Sequence, residues 1–216
     1  MKKLPDHAPL SVIQKLEEKS TVLPVPVDDD CIQSVAGAID RPLTLLWNHR
    51  WEYDKGPECL YLVLKSLRDR GIDFRIHIIG QQFRKKPDVF NRIQQRFQSQ
   101  IASWGYIESR QAYLHILQQS DIVLSTALHD FQGIAILEAV ACGCIPVVPD
   151  RLAYPDFIPA SFRTDSFDEP TKDAASIADG IINISRQTES YRKHMPDLSR
   201  LFWSRMAELY RGELQR

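Results

Sequence analysis

The segment DIVLSTALHDFQGIAILEAVACGCIPVVP, residues 121–149, predicts a strand, a helix and a second strand in succession. Its first six and last six residues are short apolar runs of the length that buried strands have. Between them a helical pattern ends at Gly143, which suits a left-handed helix cap. Because a helical crossover returns the chain to the same edge of the sheet, the two strands are predicted to be parallel.

The same alternation of strands and helices extends along the rest of the chain. Further strands are predicted in LTLLWNH (43–49) and FRIHIIG (74–80). Further helices are predicted in PECLYLVLKSLRDRG (57–71), PDVFNRIQQRFQSQI (87–101), SRQAYLHILQQS (109–120), DAASIADGIINISR (173–186) and LSRLFWSRMAELYRGEL (198–214). The predicted fold class is therefore α/β, a doubly wound parallel sheet of Rossmann-like type.

Domain boundaries follow from the same patterns. Residues 41–216 are predicted to form one Rossmann-like domain with C-terminal helices, which the resemblance described below implies to be nucleotide-sugar-binding. Residues 1–40 are predicted to be a connector or edge segment, extended over most of its length. Pro24 and Pro26 argue against a central strand there, since proline cannot donate to a sheet ladder.

Composition favours a reduced, cytoplasmic protein. The 216 residues include 27 Lys+Arg against 28 Asp+Glu, and 44% are hydrophobic, enough for a core but without a basic excess for nucleic acid. No run of ~18 apolar residues predicts a membrane span, and Pro5 and Asp6 interrupt any signal-peptide pattern after Met1. The four cysteines follow neither a metal-ligand spacing nor a dense disulfide framework.

The loop NHRWEYDKGPE after the first predicted strand is a candidate diphosphate site. Arg50 and Lys55 lie just before a helix that begins at Gly56-Pro57. A helix N-terminus carries free N–H groups and a partial positive charge, so two cations beside it are suited to a diphosphate without any metal ion. A solvated charged loop is the alternative interpretation.

A second candidate loop contains Asp130 and Glu138, with Gly133 between them. Gly133 begins a helix, and the N–H groups of Gln132 and Gly133 are expected to lack partners there. Glu138 follows on an otherwise apolar helix, where an unpaired buried charge would cost several kcal/mol. The vicinal hydroxyls of a ribose are suitable partners, and a structural ion pair with a nearby Arg or Lys is the alternative.

The remaining polar motifs are weaker. The turn after Gly105, which contains Ile107, offers backbone groups that could contact a base edge. The acidic triplet at 28–30 lacks the fixed frame that a metal site needs, and His129-Asp130 lacks further clustered histidines. The CGC run at 142–144 is predicted to be a helix end, and Arg84-Lys85-Lys86 a solvated loop.

Taken together, these motifs resemble the donor half of retaining glycosyltransferases of the GT-B fold, family 4 type. The resemblance is carried by R-x4-KG at 50–56, GYI at 105–107, SDIVLST at 120–126, and D-x7-E at 130–138 followed by the helix end and strand. The stretches NHRWEYDKGPE and HDFQGIAILEAVACGCIPVVPDRLAYPD are similar, more closely, to the tRNA-queuosine α-mannosyltransferase family. That family uses GDP-mannose as its donor.

The resemblance implies a role for each candidate residue. Arg50 and Lys55, next to Gly56, would hold the donor diphosphate, and no metal or other cofactor is expected. Asp130 would bind hydroxyls of the transferred sugar, and the backbone of Phe131, Gln132 and Gly133 would touch sugar and phosphate. Glu138 would hold the ribose, and the backbone of Ile107 the guanine. Asp130 departs from the family pattern, which usually has glutamate there, one methylene longer.

The length of the chain matches only one of the two Rossmann-like domains of a GT-B enzyme. The resemblance therefore implies a C-terminal donor-binding domain, incomplete for catalysis alone, whose tRNA acceptor would be held through a missing N-terminal half. Two alternatives remain: a related transferase that uses a UDP-sugar on a glycan or lipid, and a non-catalytic nucleotide-sugar-binding module. A dehydrogenase is disfavoured, because no G-x-G-x-x-G follows the first strand.

Overall fold

A computed structural model of the chain describes residues 10–32 and 42–215, which contain a six-stranded sheet. The strands are β1 Leu43–Trp47, β2 Phe74–Ile79, β3 Ile101–Gly105, β4 Ile122–Leu124, β5 Ile145–Pro149 and β6 Arg163–Thr164. Their order is β3-β2-β1-β4-β5-β6, and every neighbouring pair is parallel. This order confirms the predicted doubly wound α/β fold, with its reversal between β1 and β4.

Helices flank this sheet in the described part of the chain. They are α1 Leu10–Glu17, α2 Pro57–Asp69, α3 Val89–Arg96, α4 Arg110–Gln119, α5 Ile134–Ala141, α6 Tyr154–Phe157, α7 Pro170–Arg186, α8 Thr188–Lys193 and α9 Trp203–Leu214. The longest of these, α7, packs along α2. Since helices cover the sheet, every residue of β1 and β5 is buried, which explains why both strands are largely apolar, with Thr44 as the polar residue of β1, instead of alternating.

Several parts of the chain differ from the secondary structure predicted from sequence. The helix predicted over 198–214 begins at Trp203, because a separate 3₁₀ turn forms at Ser199–Leu201. The helix predicted over 87–101 ends at Arg96, and Ile101–Gly105 forms β3 instead. This strand lies at the edge of the sheet and is only partly buried, so it lacks the apolar run that marks β1. The predicted connector is helical over α1, and its residues 1–9 and 33–40 lie outside the described part of the chain.

We call residues 20–31 the connecting segment, because they run from α1 to the far end of the chain. Val27 forms a parallel bridge with Phe202, just before α9. The Asp29 carboxylate accepts hydrogen bonds from the backbone N–H of Ser204 at 3.0 Å and from its hydroxyl at 2.7 Å, which satisfies a donor in the first turn of α9. Asp29 of the acidic triplet thus holds the connecting segment against α9.

The start of α2 requires a glycine. Gly56 has φ +63°, the left-handed region, and a Cβ at this position would lie 2.0 Å from the backbone oxygen of Thr126. Such a distance is far inside any van der Waals contact, so only glycine lets the loop after β1 lie directly against the loop after β4. Pro57 then occupies the first turn of the helix, as predicted.

We predict that Gly56→Ala destabilises the protein far more than Gly71→Ala. Gly71 also has a left-handed φ, +72°, but a Cβ there meets nothing within 4 Å. The control should therefore lose only the left-handed strain, about 1–2 kcal/mol. Gly56→Ala adds a clash with backbone, for which we expect a loss of about 4 kcal/mol or more.

Urea denaturation of both variants, monitored by circular dichroism, gives the two free energies of unfolding. Equal losses would show that the contact between Gly56 and Thr126 relaxes at no cost.

Candidate functional site

A cavity of about 410 Å³ opens at the carboxyl edge of the sheet, where the loops after β1 and β4 meet. In open α/β sheets this point of reversal is where ligands bind. Its described lining is Val25, Asn48, His49, Arg50, Lys55, His129, Asp130, Phe131, Gln132, Gly133, Ile134 and Ala135. Six of the residues predicted from sequence therefore lie together, whereas Gly56, Ile107 and Glu138 do not line this cavity.

Lys55 is a buried cation with fixed oxygen partners. Its residue is only 6% exposed, although it follows a surface loop. The ammonium nitrogen donates to the backbone oxygen of His129 at 2.6 Å and lies 3.3 Å from Asp54 Oδ2 and 3.9 Å from Asp130 Oδ1. A buried charge of this kind needs such partners, and they hold the ammonium group in one place at the cavity wall.

Arg50 differs from Lys55 in being open to solvent. Its side chain is 53% exposed and pairs with Glu52 at 2.9 Å. Exposed pairs of this type contribute only about 0–1 kcal/mol, so the guanidinium can exchange Glu52 for another anion at little cost. The site therefore combines one fixed cation with one that is free to reorient.

Asp130 is held at the start of α5 by two donors. Its Oδ1 accepts from the backbone N–H of Gly133 at 3.2 Å, and its Oδ2 accepts from the hydroxyl of Tyr154 at 3.2 Å. The expectation that the Gly133 N–H lacks a partner was therefore wrong, because the carboxylate of Asp130 caps it. Burial, together with the charge of Asp130, raises the pKa of Tyr154, so this hydroxyl keeps its proton and donates.

The two residues between Asp130 and Gly133 face different surroundings. The ring of Phe131 is 87% exposed beside the cavity. The side-chain amide of Gln132 instead pairs with the backbone of Val25, accepting from its N–H and donating to its carbonyl oxygen, both at 2.8 Å. This amide pair joins the loop before α5 to the connecting segment.

Glu138 lies one turn further along α5 and has two partners. Its Oε1 accepts from Arg110 at 2.7 Å, and its Oε2 accepts from the hydroxyl of Tyr113 at 2.9 Å. The structural ion pair left open from the sequence is therefore present. Each carboxylate oxygen still has a second acceptor position, so this pairing is compatible with a hydroxyl ligand.

Arg110 in turn is held by the connecting segment. Its Nη2 and Nε donate to the two carboxylate oxygens of Asp30, at 2.8 Å and 3.1 Å. These hydrogen bonds lower the pKa of Asp30 below its ordinary value. Nothing in the sequence signals this pairing, because Asp30 and Arg110 are 80 positions apart.

Neither Gly56 nor Ile107 belongs to the described lining of the cavity. Gly56 begins α2 directly after Lys55 and is packed against Thr126. Ile107 lies in the turn between β3 and α4, where its side chain is half-buried against the core. Their predicted roles as backbone contacts of a ligand stay predictions.

Two wall residues, Asn48 and His49, are absent from the set predicted from sequence. Both follow β1 directly and both are buried, at 6% and 4% exposure. The available signal was positional: two polar residues end an apolar strand whose carboxyl end lies at the ligand edge. The described residues contain no group of three or more His, Cys, Asp and Glu arranged to hold a metal ion.

Comparison with known proteins assigns the family. Residues 31–196, well over half of the chain, match the family described as glycosyl transferases group 1. The chain belongs to this family. The cavity lined by Lys55 and Asp130 thus lies in a domain of this family.

Two curated relatives are mannosyltransferases. The tRNA-queuosine alpha-mannosyltransferase of Drosophila melanogaster is 36% identical over 164 residues, which are 72% of this chain and 43% of that protein. The GDP-mannose:cellobiosyl-diphosphopolyprenol alpha-mannosyltransferase of Xanthomonas oryzae is 25% identical over 115 residues, 53% of this chain and 30% of that protein. The chain therefore spans less than half the length of either relative.

A solved structure shows the same fold. The pneumococcal O-GlcNAc transferase, in complex with UDP and GlcNAc, matches 95% of this chain with a TM-score of 0.73 and 16% sequence identity. The match covers 43% of that chain. The domain thus has the Rossmann-like fold of one half of a GT-B glycosyltransferase.

We predict that the pair between Asp30 and Arg110 stabilises the protein above the ordinary pKa of aspartate, about 3.9. Because folding lowers the pKa of Asp30, the stabilisation is present above that value and is lost as the pH falls through the lowered pKa. Asp30→Asn should therefore lower the free energy of unfolding at about pH 7, and the difference from wild type should shrink towards about pH 3.

Urea midpoints across this pH range test the prediction. The control is Asp165→Asn, which changes an exposed carboxylate with no recorded ion pair among the described residues. A deficit of Asp30→Asn that stays constant with pH would contradict it.

Proposed function

We propose that this domain binds GDP-mannose as the donor of a retaining mannosyltransferase that acts on queuosine in tRNA. The observation that carries the proposal is the buried Lys55, held beside Asp130 at the point where the sheet order reverses. The 36% identity to a tRNA-queuosine alpha-mannosyltransferase supports the choice of sugar and acceptor. The GDP-mannose named for the Xanthomonas oryzae relative supports the choice of donor.

Lys55 and Arg50 are assigned to the donor diphosphate. Lys55 offers a fixed positive charge and Arg50 a reorienting one, and both lie beside the first turn of α5, whose N–H groups favour an anion. Charge that develops on a leaving diphosphate is stabilised most by groups already in place. This arrangement supports transfer without a metal ion.

Asp130 and Glu138 are assigned to hydroxyl groups at the two ends of the donor. Asp130 is partly open to the cavity and keeps acceptor positions beyond its bonds to Gly133 and Tyr154. Glu138, four residues behind Ile134 on α5, is assigned to the ribose. The backbone of Phe131, Gln132 and Gly133 is assigned to sugar and phosphate, and that of Ile107 to the guanine.

We propose that the tRNA acceptor is bound mainly by a part of the enzyme outside this domain. The net charge of the chain is −1, which offers little attraction for a polyanion. The exposed residues Arg84 and Lys85 lie in the loop after β2, on the same edge of the sheet as the cavity. We propose that the enzyme is cytoplasmic. Among the described residues, no helix is both long and apolar enough to span a membrane.

We predict that Lys55→Ala weakens GDP-mannose binding by at least tenfold, since it removes the fixed cation from the diphosphate. Lys65→Ala is the matched control, because Lys65 is an exposed lysine on α2 that pairs with Asp69 away from the cavity. Calorimetric titration with GDP-mannose, first with a chelator and then with Mg²⁺, measures both affinities. Circular dichroism verifies that each variant is folded.

The same titration includes UDP-glucose as a competing donor. Unchanged affinity in a folded Lys55→Ala variant would contradict the diphosphate site. Tighter binding of UDP-glucose than of GDP-mannose would indicate a transferase with another donor. Binding of GDP-mannose only in the presence of Mg²⁺ would contradict donor binding without a metal ion.

For the acceptor, we predict that mannose passes from GDP-[14C]mannose to tRNA that contains queuosine and not to the same tRNA with guanine at that position. The assay uses the protein that contains this domain and measures label in precipitated tRNA. Equal labelling of both tRNAs, or of neither, would contradict queuosine as the acceptor.

A further inference from the structure

His49 is a buried wall residue of the cavity whose Nε2 has no hydrogen-bond partner among the described residues. It follows β1 and is only 4% exposed. Its Nε2 is shut off from solvent and makes no hydrogen bond within the described residues. Its ring packs against that of Trp47, at 5.1 Å between ring centroids and with 66° between the ring planes. A buried polar atom without a partner is rare in proteins and calls for a ligand or another explanation.

The imidazole of His49 is neutral at physiological pH. Burial lowers its pKa to about 4; the charge of Asp130 acts to raise the pKa, and that of Lys55 to lower it further. A neutral imidazole carries one N–H donor and one lone-pair acceptor. His49, a wall residue of the cavity, can therefore donate or accept a hydrogen bond without bringing a charge.

Asn48, the neighbouring wall residue, also has a buried polar atom without a hydrogen-bond partner among the described residues. Its Nδ2 donates to the backbone oxygen of Ala135 at 2.8 Å and to the hydroxyl of Tyr113 at 3.2 Å. Because the carbonyl of Ala135 can only accept, the orientation of the amide is fixed. The Oδ1 atom is left buried without a partner among the described residues.

Together, these two residues favour a hydroxyl over a phosphate. A carboxamide oxygen repels a phosphate oxygen, since both only accept, whereas a hydroxyl can donate to it. Lys55 and Arg50 already supply positive charge for phosphate elsewhere on the wall. We propose that His49, beside Asn48, is a specificity-determining residue that hydrogen-bonds a hydroxyl of the transferred sugar. This inference rests on the proposed donor-binding function.

The test compares GDP-mannose with GDP, which lacks the sugar. In calorimetry, wild type should bind GDP-mannose more tightly than GDP. His49→Leu should lose about three- to tenfold in affinity for GDP-mannose, the effect of one hydrogen bond, with the affinity for GDP unchanged. The melting temperature of His49→Leu should not fall, because the variant removes a buried group that has no partner.

His77→Leu is the matched control. His77 is also a buried histidine, but it lies on β2 and hydrogen-bonds Ser103 at 2.9 Å. This variant should lose stability and keep the affinity for both ligands. The two variants thus separate a loss of binding from a loss of folding.

Each other outcome overturns the inference in a distinct way. Equal losses for GDP and GDP-mannose would place His49 at the diphosphate, and no loss for either would make it structural. If wild type binds both ligands equally, no sugar contact exists. If wild type binds neither, the proposed function itself fails, and the sugar subsite fails with it.

Discussion

The cavity depends on a joint between two loops that the sheet order brings side by side. The backbone oxygen of Asp54, after β1, accepts from the N–H groups of Leu128 and His129, after β4, at 2.7 Å and 3.1 Å. The hydroxyl of Thr126 donates to the backbone oxygen of Lys55 at 2.7 Å. Because β1 and β4 are neighbours, these short bonds are possible, and they bring residues 55 and 130 to one wall. A sheet with another strand order would separate them.

The charges at this wall are nearly balanced before any ligand arrives. Lys55 lies between two carboxylates, and Arg50 has Glu52. The diphosphate that we propose to bind here would therefore not meet an open positive patch; it would replace an exposed carboxylate at Arg50 and join a fixed network at Lys55. Placing polar groups before binding lowers the ordering cost at the moment of binding. The arrangement of these charges is suited to the diphosphate that we propose as the leaving group.

The strands and helix boundaries that depend on local pattern could be predicted from the sequence. The apolar runs of β1, β4 and β5 are visible because both faces are buried, and the helix end at Gly143 is confirmed by its φ of +99° and the bond from Cys144 N–H to Ala139 O. The edge strand β3 was missed, because a half-exposed strand has no apolar run. An ion pair at Glu138 was left open, but its partners Arg110 and Tyr113 could not be identified, since pairing over such sequence distances leaves no local signal.

The same distinction applies to the site. Residues 50, 55, 130 and 133 could be found from glycine, charge and strand ends, which act locally. The missing hydrogen-bond partner of His49 Nε2 could not be predicted from the sequence, because only the packed structure shows it. The pKa of His49 likewise depends on burial, which no single stretch of sequence displays.

The amide of Gln132 has a consequence for how the domain responds to its surroundings. It hydrogen-bonds both the N–H and the carbonyl oxygen of Val25 in the connecting segment. These two bonds join the loop before α5 to a segment that also pairs with Phe202, just before α9. The connecting segment therefore holds the loop before α5 that lines the cavity. A shortened protein that began at β1 would keep the sheet, yet its binding loop would lose this mechanical anchor and Val25 as a wall.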